Sequence, residues 1–312
     1  MNHPISIRSH TIVVTTYNKP AILAASLDHL LACEIPADLD VQVVVVDNAS
    51  SDDTPAVIDA FVRKFPARAE HLCETRRGNG HARNAGIARA RGEIITVLDH
   101  DVIVGRDFIR LVRHEFERLG SRGVIGGRLE PWDRTRQAHF FLTRPDEQVY
   151  GPLDQPAGFI HGGNLSFHRD VIARIGGYDE RFGAGTSLPA SDTDFAYRAW
   201  RAGCELRYSP AIVAFHNHGR HDDAELFATY RSYWIANGAF LMKHILRGDR
   251  AMLRRAYWDT LDNWRLLRDR TAPPWNRRKL WYYALGALRY LRVARRPERS
   301  APPGGEPPVA GP

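Results

Sequence analysis

Two aspartates one residue apart, Asp99 and Asp101, close the apolar run Ile94-Ile95-Thr96-Val97-Leu98. Residues two apart on a regular strand project to one face, so the run delivers two carboxylates to a common side. Hard carboxylate oxygens suit Mg²⁺ or Mn²⁺, and a divalent ion held by only one or two of them completes its shell with phosphate and water. The chemistry this spacing permits is a metal-held diphosphate; a strand ending in a solvated acidic turn would read the same way. Upstream, residues 76 to 93 read RRGNGHARNAGIARARGE, with Gly78 and Gly80 allowing a tight turn, a small-residue helix after it, and Arg76, Arg77 and Arg83 on or near the turn. Backbone amides at a helix start beside guanidinium groups make a diphosphate site. No Gly-Lys-Ser/Thr follows, as a P-loop requires, and the glycines do not fit the dinucleotide fingerprint.

Three further groups carry candidate chemistry. Ser191-Asp192-Thr193-Asp194 opens a helix ended by Gly203, and its acids either complement the positive helix end, with Ser191 as cap, or include a positioned base. Ala211 to Phe215 is an extended run ending in His216, Asn217 and His218, where a neutral imidazole is either an acceptable Mn²⁺ ligand or a plain strand-end residue. Gly162, Gly163 and Asn164 precede a short strand, and paired glycines let backbone approach a ligand or simply turn.

The elements that must position these groups follow from the apolar pattern. Thr11 to Tyr17 is β-branched and extended, and a helix opened by Pro20 follows; Val41 to Val46 ends at Asp47, and Pro55 opens the next helix. With a third strand near His71 to Glu74, this β-α-β-α alternation predicts right-handed crossovers and a largely parallel sheet. Strands apolar on both faces lie inside such sheets, and ligands bind beyond their carboxyl ends. Thr15 with Tyr17, Asp47, and Asp99 with Asp101 would then line one crevice. Val124 to Leu129 and Leu165 to His168 read as strands, Arg169 to Ile175 as a short helix, and Phe182 to Pro189 as a glycine-rich loop able to close over substrate. Trp132 to Gly158 lacks a period and reads as a loop-rich insertion, either acceptor-contacting or a surface excursion.

At 312 residues and 44% apolar composition, the chain can hold one large α/β domain with an appendage. Cys33, Cys73 and Cys204 are odd in number and widely spaced, which points to small core residues in a reducing compartment. MNHPISIRSH has no apolar core of signal-peptide length, and no apolar run reaches the roughly 18 residues of a spanning helix, so the expected location is cytoplasmic, with peripheral contact on the membrane's cytoplasmic face as the variant. The net charge of +7 is uneven: Leu241 to Ser300 holds 16 Lys+Arg against 5 Asp+Glu, a net +11, leaving 7 − 11 = −4 elsewhere. Leu226 to Leu246, Arg250 to Leu267 and Arg277 to Val293 read as helices with aromatics beside basic residues, a composition that suits either a membrane interface or packing on the core. From Arg296 the chain is proline- and glycine-rich and expected to be disordered.

TTYNKP at 15 to 20, VVVVDNASSDDT at 43 to 54, GNGHARNAGIARARGEIITVLDHD at 78 to 101, GGNLSFHRDVIARIGGYDERFG at 162 to 183 and SDTDFAYRAWRAG at 191 to 203 resemble, in that order, the blocks of family 2 glycosyltransferases with a GT-A fold. The resemblance, which covers roughly residues 10 to 220, implies a GT-A catalytic domain over 1–220, with a nucleotide-sugar half at about 10–101 and an acceptor half at about 102–220; composition adds a basic, aromatic helical region over 221–295 and a disordered tail over 296–312. It implies inverting transfer from a nucleoside-diphosphate sugar to a hydroxyl of a carbohydrate, lipid-linked or small-molecule acceptor, with Mn²⁺ or Mg²⁺ and no nucleic acid partner. Asp47 would accept hydrogen bonds from the nucleobase beside Thr15 and Tyr17; Arg83 or Arg77 would face the diphosphate; Asp99 would sit by ribose and metal. Asp101 would be the main metal ligand, with Asp99 and His216, or else His218, as the others. Asp192 would be the base, with Asp194 the alternative, although Ser191 stands where the family usually has an acid. His100, where an acidic residue is commoner, carries no assigned role. Gly162, Gly163 and Asn164 would border the donor sugar and acceptor. The competing readings are a sugar-phosphate nucleotidyltransferase, whose glycine-rich signature after the first strand is missing, and a non-catalytic carbohydrate-binding or scaffold protein.

Overall fold

The structure, a computed structural model, describes residues 6–120, 122–133, 142–152, 154–217, 223–268 and 278–294. Strands β1 (Ser9–Thr16), β2 (Asp40–Asp47) and β3 (Ala69–Cys73) alternate with helices α1 (Pro20–Leu31), α2 (Thr54–Lys64) and α3 (Asn79–Arg89) before β4 (Ile94–Asp99). Pro20 and Pro55 both stand in the first turn of their helices, where a missing N–H costs nothing and the fixed φ favours the helix. Val41 to Asp47 is buried throughout, as a strand covered on both faces must be.

Then come β5 (Val102–Val104), α4 (Phe108–Leu119), β6 (Val124–Pro131), β7 (Gln148–Val149), β8 (Leu165–His168), α5 (Asp170–Ile175), α6 (Ser191–Arg201) and β9 (Leu206–His216). The described strands form one sheet in the order β3-β2-β1-β4-β8-β6-β9-β5, with β7 on β9. The first four are parallel, whereas β8 is antiparallel to both β4 and β6. Buried polar pairs fix the register. His10 Nε2 meets Thr96 Oγ1 at 2.7 Å, Thr96 Oγ1 meets Ser166 Oγ at 2.7 Å, and Thr11 Oγ1 donates to Gln42 Oε1 at 2.8 Å. A slipped strand would leave such groups unmade at about 1–3 kcal/mol each.

Three features depart from the sequence pattern. β5, α4 and β7 had no distinct signal, β5 and β7 because strands of two or three residues are too short for a period, and β7 falls within the stretch read as a loop-rich insertion. β9 begins earlier than Ala211 and runs through Pro210, which is tolerated because the pairing with β6 shifts between Gly127 and Arg128. Cys73 is exposed, unlike Cys33 and Cys204, since it ends β3, the strand at the sheet's edge.

Helices α7 (Asp223–Leu246), α8 (Arg250–Arg268) and α9 (Lys279–Val293) complete the described chain. α7 and α9 cross so closely that a methyl group on Gly238 would lie 2.0 Å from Tyr283 O, and one on Gly286 1.9 Å from Ile235 O. Trp234, Phe240, Tyr282 and Tyr290 are buried there, so part of the aromatic content is core. α7 is also tied to α6 by ions: Lys243, fully buried, places Nζ 2.7 Å from Asp179 Oδ2 and 2.7 Å from Asp194 Oδ1. Phe182 stacks on Tyr290, with ring centroids 5.8 Å apart. The proline- and glycine-rich tail lies outside the described residues.

Candidate active site

Strand pairing places Thr16 opposite Asp47 and Thr15 opposite Asp99, so three strand ends meet at one edge of the sheet. β5 pairs with β9 such that Val102 lies opposite His216, which brings His216 Nε2 to 3.3 Å from Asp101 Oδ2. Residues more than a hundred positions apart in sequence therefore converge beside Asp99.

The interior of this edge is held by Arg83, which is 3% exposed. Its guanidinium donates to Asp99 Oδ1 at 2.9 Å and Ser191 Oγ at 3.1 Å, and it lies over the Tyr178 ring. The Asn79 amide donates to Thr15 Oγ1 at 2.9 Å and turns its oxygen to Arg83. Burial opposes the charge on Arg83, but Asp99, Tyr178 and Asp192 outweigh it and hold its pKa above the ordinary value. Burial likewise opposes ionisation of Asp99, and Arg83 prevails, so the Asp99 pKa is lowered. Arg83, expected at the diphosphate, is thus engaged in fixing Asp99 and the start of α6. Arg76 and Arg77 are both exposed on the turn; Arg76 pairs with Glu74 at 2.7 Å, and Arg77 places its guanidinium 3.8 Å from the Tyr17 ring centroid.

Asp47 reaches the edge, but its Oδ1 accepts the Ser50 N–H at 3.0 Å within the following turn, and the neighbouring Asn48 lines the cavity instead. Asn48 donates to Glu74 O and Arg76 O and accepts the Gly78 N–H at 2.8 Å, so one amide pins the arginine turn to β2. It was missed because a polar residue in a turn carries no signal of its own.

Asp101 is held well below the usual carboxylate range: burial opposes this, and His216 and His100 override it. The His161 ring packs edge-on to His216 at 5.5 Å and accepts the Gly163 N–H on Nδ1 at 3.0 Å, which places its proton on Nε2. Burial, then His216, lowers its pKa against the pull of Asp192, Asp99 and Asp101. Among the described residues, no three His, Cys, Asp or Glu side chains form a metal cage. Asp101 with His216 offers two donors, which suits an ion arriving with phosphate and water and does not suit a structural ion. His218 lies outside the described residues.

Asp192 and Asp194 have opposite environments. Asp192 Oδ2 accepts the Gly162 N–H at 2.9 Å and Oδ1 the Thr193 N–H at 2.9 Å, while the carboxylate still lines a cavity. Asp194 is 0% exposed and bonded to Arg198 at 2.8 Å, Lys243 at 2.7 Å and His244 at 3.1 Å. Its pKa is held well below 3.8, with burial opposed chiefly by Lys243 and Arg198. Asp194 is thus a buried member of the ion network that joins α6 to α7, whereas Asp192 borders open space. Ser191 does not cap α6 through its side chain; Ala190 precedes the helix and the Ser191 hydroxyl bonds Arg83. Asn164 is also structural, fully buried and donating to Arg128 O at 2.9 Å and Ile212 O at 3.0 Å, where β6 and β9 change register.

Two cavities adjoin. One, of about 870 Å³, is lined by Thr15, Tyr17, Asn48, Arg77, Asp101 and His216; the other, of about 450 Å³, by Arg83, Gly162 and Asp192. Asn79, Asp99, His161, Ala184, Pro189 and Tyr233 line both, so they form one cleft with two chambers. The 182–189 loop belongs to this boundary, joined to α3 by the Asn79 N–H to Ala184 O bond of 2.9 Å.

The glycosyl transferase family 2 profile matches residues 11–176, and that of glycosyl transferase family group 2 matches residues 94–292. Chondroitin synthase of Escherichia coli is 25% identical over 66% of this chain, which covers 34% of that protein. Hyaluronan synthase of Pasteurella multocida is 23% identical over 66% of the chain, covering 24% of that protein. The beta-monoglucosyldiacylglycerol synthase of Synechocystis is 25% identical over 72% of the chain and 49% of its own length. The chain therefore spans between a quarter and a half of these relatives. Among solved structures, S. aureus TarS residues 1–349 superimpose with a TM-score of 0.59 at 14% identity, covering 91% of each chain. The Pyrobaculum calidifontis mannosyltransferase PcManGT gives 0.56 at 21% identity, over 94% of this chain and 77% of its own. At these identities the likeness shows the GT-A fold.

Proposed function

This chain belongs to glycosyl transferase family 2, and from that membership we propose that it transfers a sugar from a nucleoside-diphosphate sugar to an acceptor hydroxyl, with inversion, in polysaccharide, glycolipid or glycoconjugate synthesis. The observation that carries the reading is the two-chambered cleft: Asp101 and His216 line one chamber, Asp192 the other, and Asp99 stands between them. A donor in the larger chamber would put its anomeric carbon near the boundary, facing an acceptor in the smaller one.

In that arrangement Tyr17, Asn48 and Arg77 wall the nucleotide, and Arg77 faces the diphosphate. Asp101 and His216 would hold Mn²⁺ or Mg²⁺, which when bound neutralises charge developing on the departing diphosphate. The solved structure described as a complex with GDP-Man and Mn²⁺ supports that choice of partners. Arg83 keeps Asp99 ionised and fixed. Asp192, oriented by the Gly162 and Thr193 amides, retains free lone pairs to accept the acceptor hydroxyl's proton. The neutral His161 presents an N–H donor beside the same boundary.

The test is direct binding of UDP and GDP with Mn²⁺, followed by nucleotide release from a panel of nucleotide sugars. Asp101→Ala is expected to abolish the Mn²⁺-dependent part of both with the fold intact. Normal turnover in a folded Asp101→Ala protein would remove the assignment, and pyrophosphate release from a nucleoside triphosphate would favour the nucleotidyltransferase reading.

No helix among the described residues is long and apolar enough to cross a membrane. The helices nevertheless expose Leu253, Tyr257, Trp258, Trp264, Trp281, Leu288 and Leu291, with Arg254, Arg265, Arg278 and Arg292 exposed among them. This pattern favours peripheral contact with an anionic membrane on its cytoplasmic face. Co-sedimentation with phosphatidylglycerol vesicles, lost in Trp258→Ser/Trp281→Ser, is the expected result; equal recovery of both proteins in the supernatant would reject it.

A further inference from the structure

Beyond Asp192, the smaller chamber runs into space walled by the C-terminal helices. Tyr233 and Asn237 come from α7, Lys279 and Tyr283 from α9, and Gln155 from the segment before Gly162. Tyr233 also borders the larger chamber, whereas Asn237, Lys279, Tyr283 and Gln155 line only the smaller one and have no part in the donor chemistry. Gln155 Oε1 is buried and has no hydrogen-bond partner. Asn237 Nδ2 is 3.5 Å from Tyr283 Oη, at the limit of a hydrogen bond. Aromatic faces beside under-occupied amides are suited to a sugar ring, which offers C–H groups to the one and hydroxyls to the other.

Lys279 gives the chamber a charge. It is partly buried, with its ammonium 5.9 Å from the Tyr283 ring centroid. Asp259 on α8 acts on it electrostatically, but that carboxylate is bonded by Arg255 at 2.8 Å. Asp262, the other acid that acts on it, is exposed and pairs with Arg265 at 3.2 Å. Among the described residues, no carboxylate stands within ion-pair distance of Lys279, so a cation withdrawn from water faces the cavity without a bonded anion. Burial accordingly lowers the Lys279 pKa despite the pull of Asp259.

We infer that the smaller chamber takes a glycosyl acceptor carrying an anionic group, carboxylate or phosphate, seated against Lys279 with its sugar ring between Tyr233 and Tyr283. This rests on the donor and acceptor assignment of the two chambers and adds the chemical class of the acceptor. The C-terminal helices then supply one wall of the site and select what enters it.

The experiment titrates the full chain with methyl β-D-glucuronide, glucose 6-phosphate and the neutral methyl β-D-glucoside, read by saturation-transfer NMR. Each titration is run with and without Mn²⁺ and saturating UDP or GDP. At least one acidic probe is expected to bind roughly tenfold more tightly than the neutral glycoside, as a charge-assisted contact would give. Lys279→Met should remove that preference, Lys279→Arg should keep it, and nucleotide binding should be unchanged in both. The two acidic probes separate a carboxylate acceptor from a phosphate one. Equal binding of charged and neutral probes, no binding of either acid, or an unchanged preference in Lys279→Met would overturn the inference. Failure of UDP and GDP to bind would count against the donor reading instead, and the titrations without nucleotide still decide the role of Lys279.

Discussion

Replacing Asp192 and Asp194 separately by asparagine should give opposite phenotypes, although the two residues are neighbours in the same helical turn. Asp194 is 0% exposed and neutralises Lys243 and Arg198. Asparagine at 194 keeps an acceptor oxygen and loses the charge. Removing one member of a buried ion pair costs about 3–5 kcal/mol. Here the lower end applies, because Lys243 retains Asp179, and Arg198 retains the Ile175 and Gly177 carbonyls. A loss of about 3 kcal/mol corresponds to a fall in Tm of roughly 6–12 °C for a domain somewhat smaller than this chain. Asp192→Asn removes no ion pair, so its Tm should move by less than about 4 °C. Its transfer rate should fall by about 10²–10⁴-fold, the usual contribution of a general base. Thermal melts followed by circular dichroism, and nucleotide release measured well below both midpoints, separate the two. An Asp194→Asn protein that melts like the parent but is inactive, beside an active Asp192→Asn, would refute the reasoning.

Gly162→Ala should act on the same carboxylate from the other side. The added methyl would lie 2.8 Å from Asp192 Cβ and 3.0 Å from its Oδ2, so Asp192 must move. A displacement of about 1 Å commonly costs about 10²-fold in rate; kcat should fall with nucleotide affinity unchanged, and a variant with full kcat would show that the position of Asp192 is immaterial. Acid should weaken the contact between α7 and α6. Asp179 is held at about 2, its burial opposed by Arg181 and Lys243, and Asp194 is held well below 3.8. Depressed folded-state values mean the stabilisation is fully present above the unfolded carboxylate pKa of about 4 and is lost as pH falls toward 2. Urea unfolding between pH 5 and 3 should therefore show a steep loss of stability that is shallower in Lys243→Met; equal slopes would refute the link.

Much of the site was legible because its carriers are strand ends. Apolar runs fix where β1, β2 and β4 stop, and pairing then puts Thr15, Thr16, Asp47 and Asp99 at one edge. His216 could be anticipated for the same reason. Arg83 stood out in the sequence but its partner did not, since an arginine near a glycine turn looks equally fit for phosphate or carboxylate, and the structure pairs it with Asp99. Asn48 lay inside the 43–54 block but read only as a turn residue after Asp47, and His161 and Lys279 carried no periodic or motif signal. His161 stood directly before the Gly162-Gly163 pair, the one cue that could have drawn notice to it.

The sequence by itself determined the β-α alternation from β1 to β4, the acids that end those strands and the concentration of basic charge near the C-terminus, because these depend on local pattern and composition. Only the tertiary structure separated Asp192 from Asp194. Both sit in the first turn of α6, and what distinguishes them is Lys243 and His244, brought from α7 some fifty residues away to bury one carboxylate and leave the other facing the cleft. Burial and ion pairing depend on what packs against a residue, and neither is written in its neighbours along the chain.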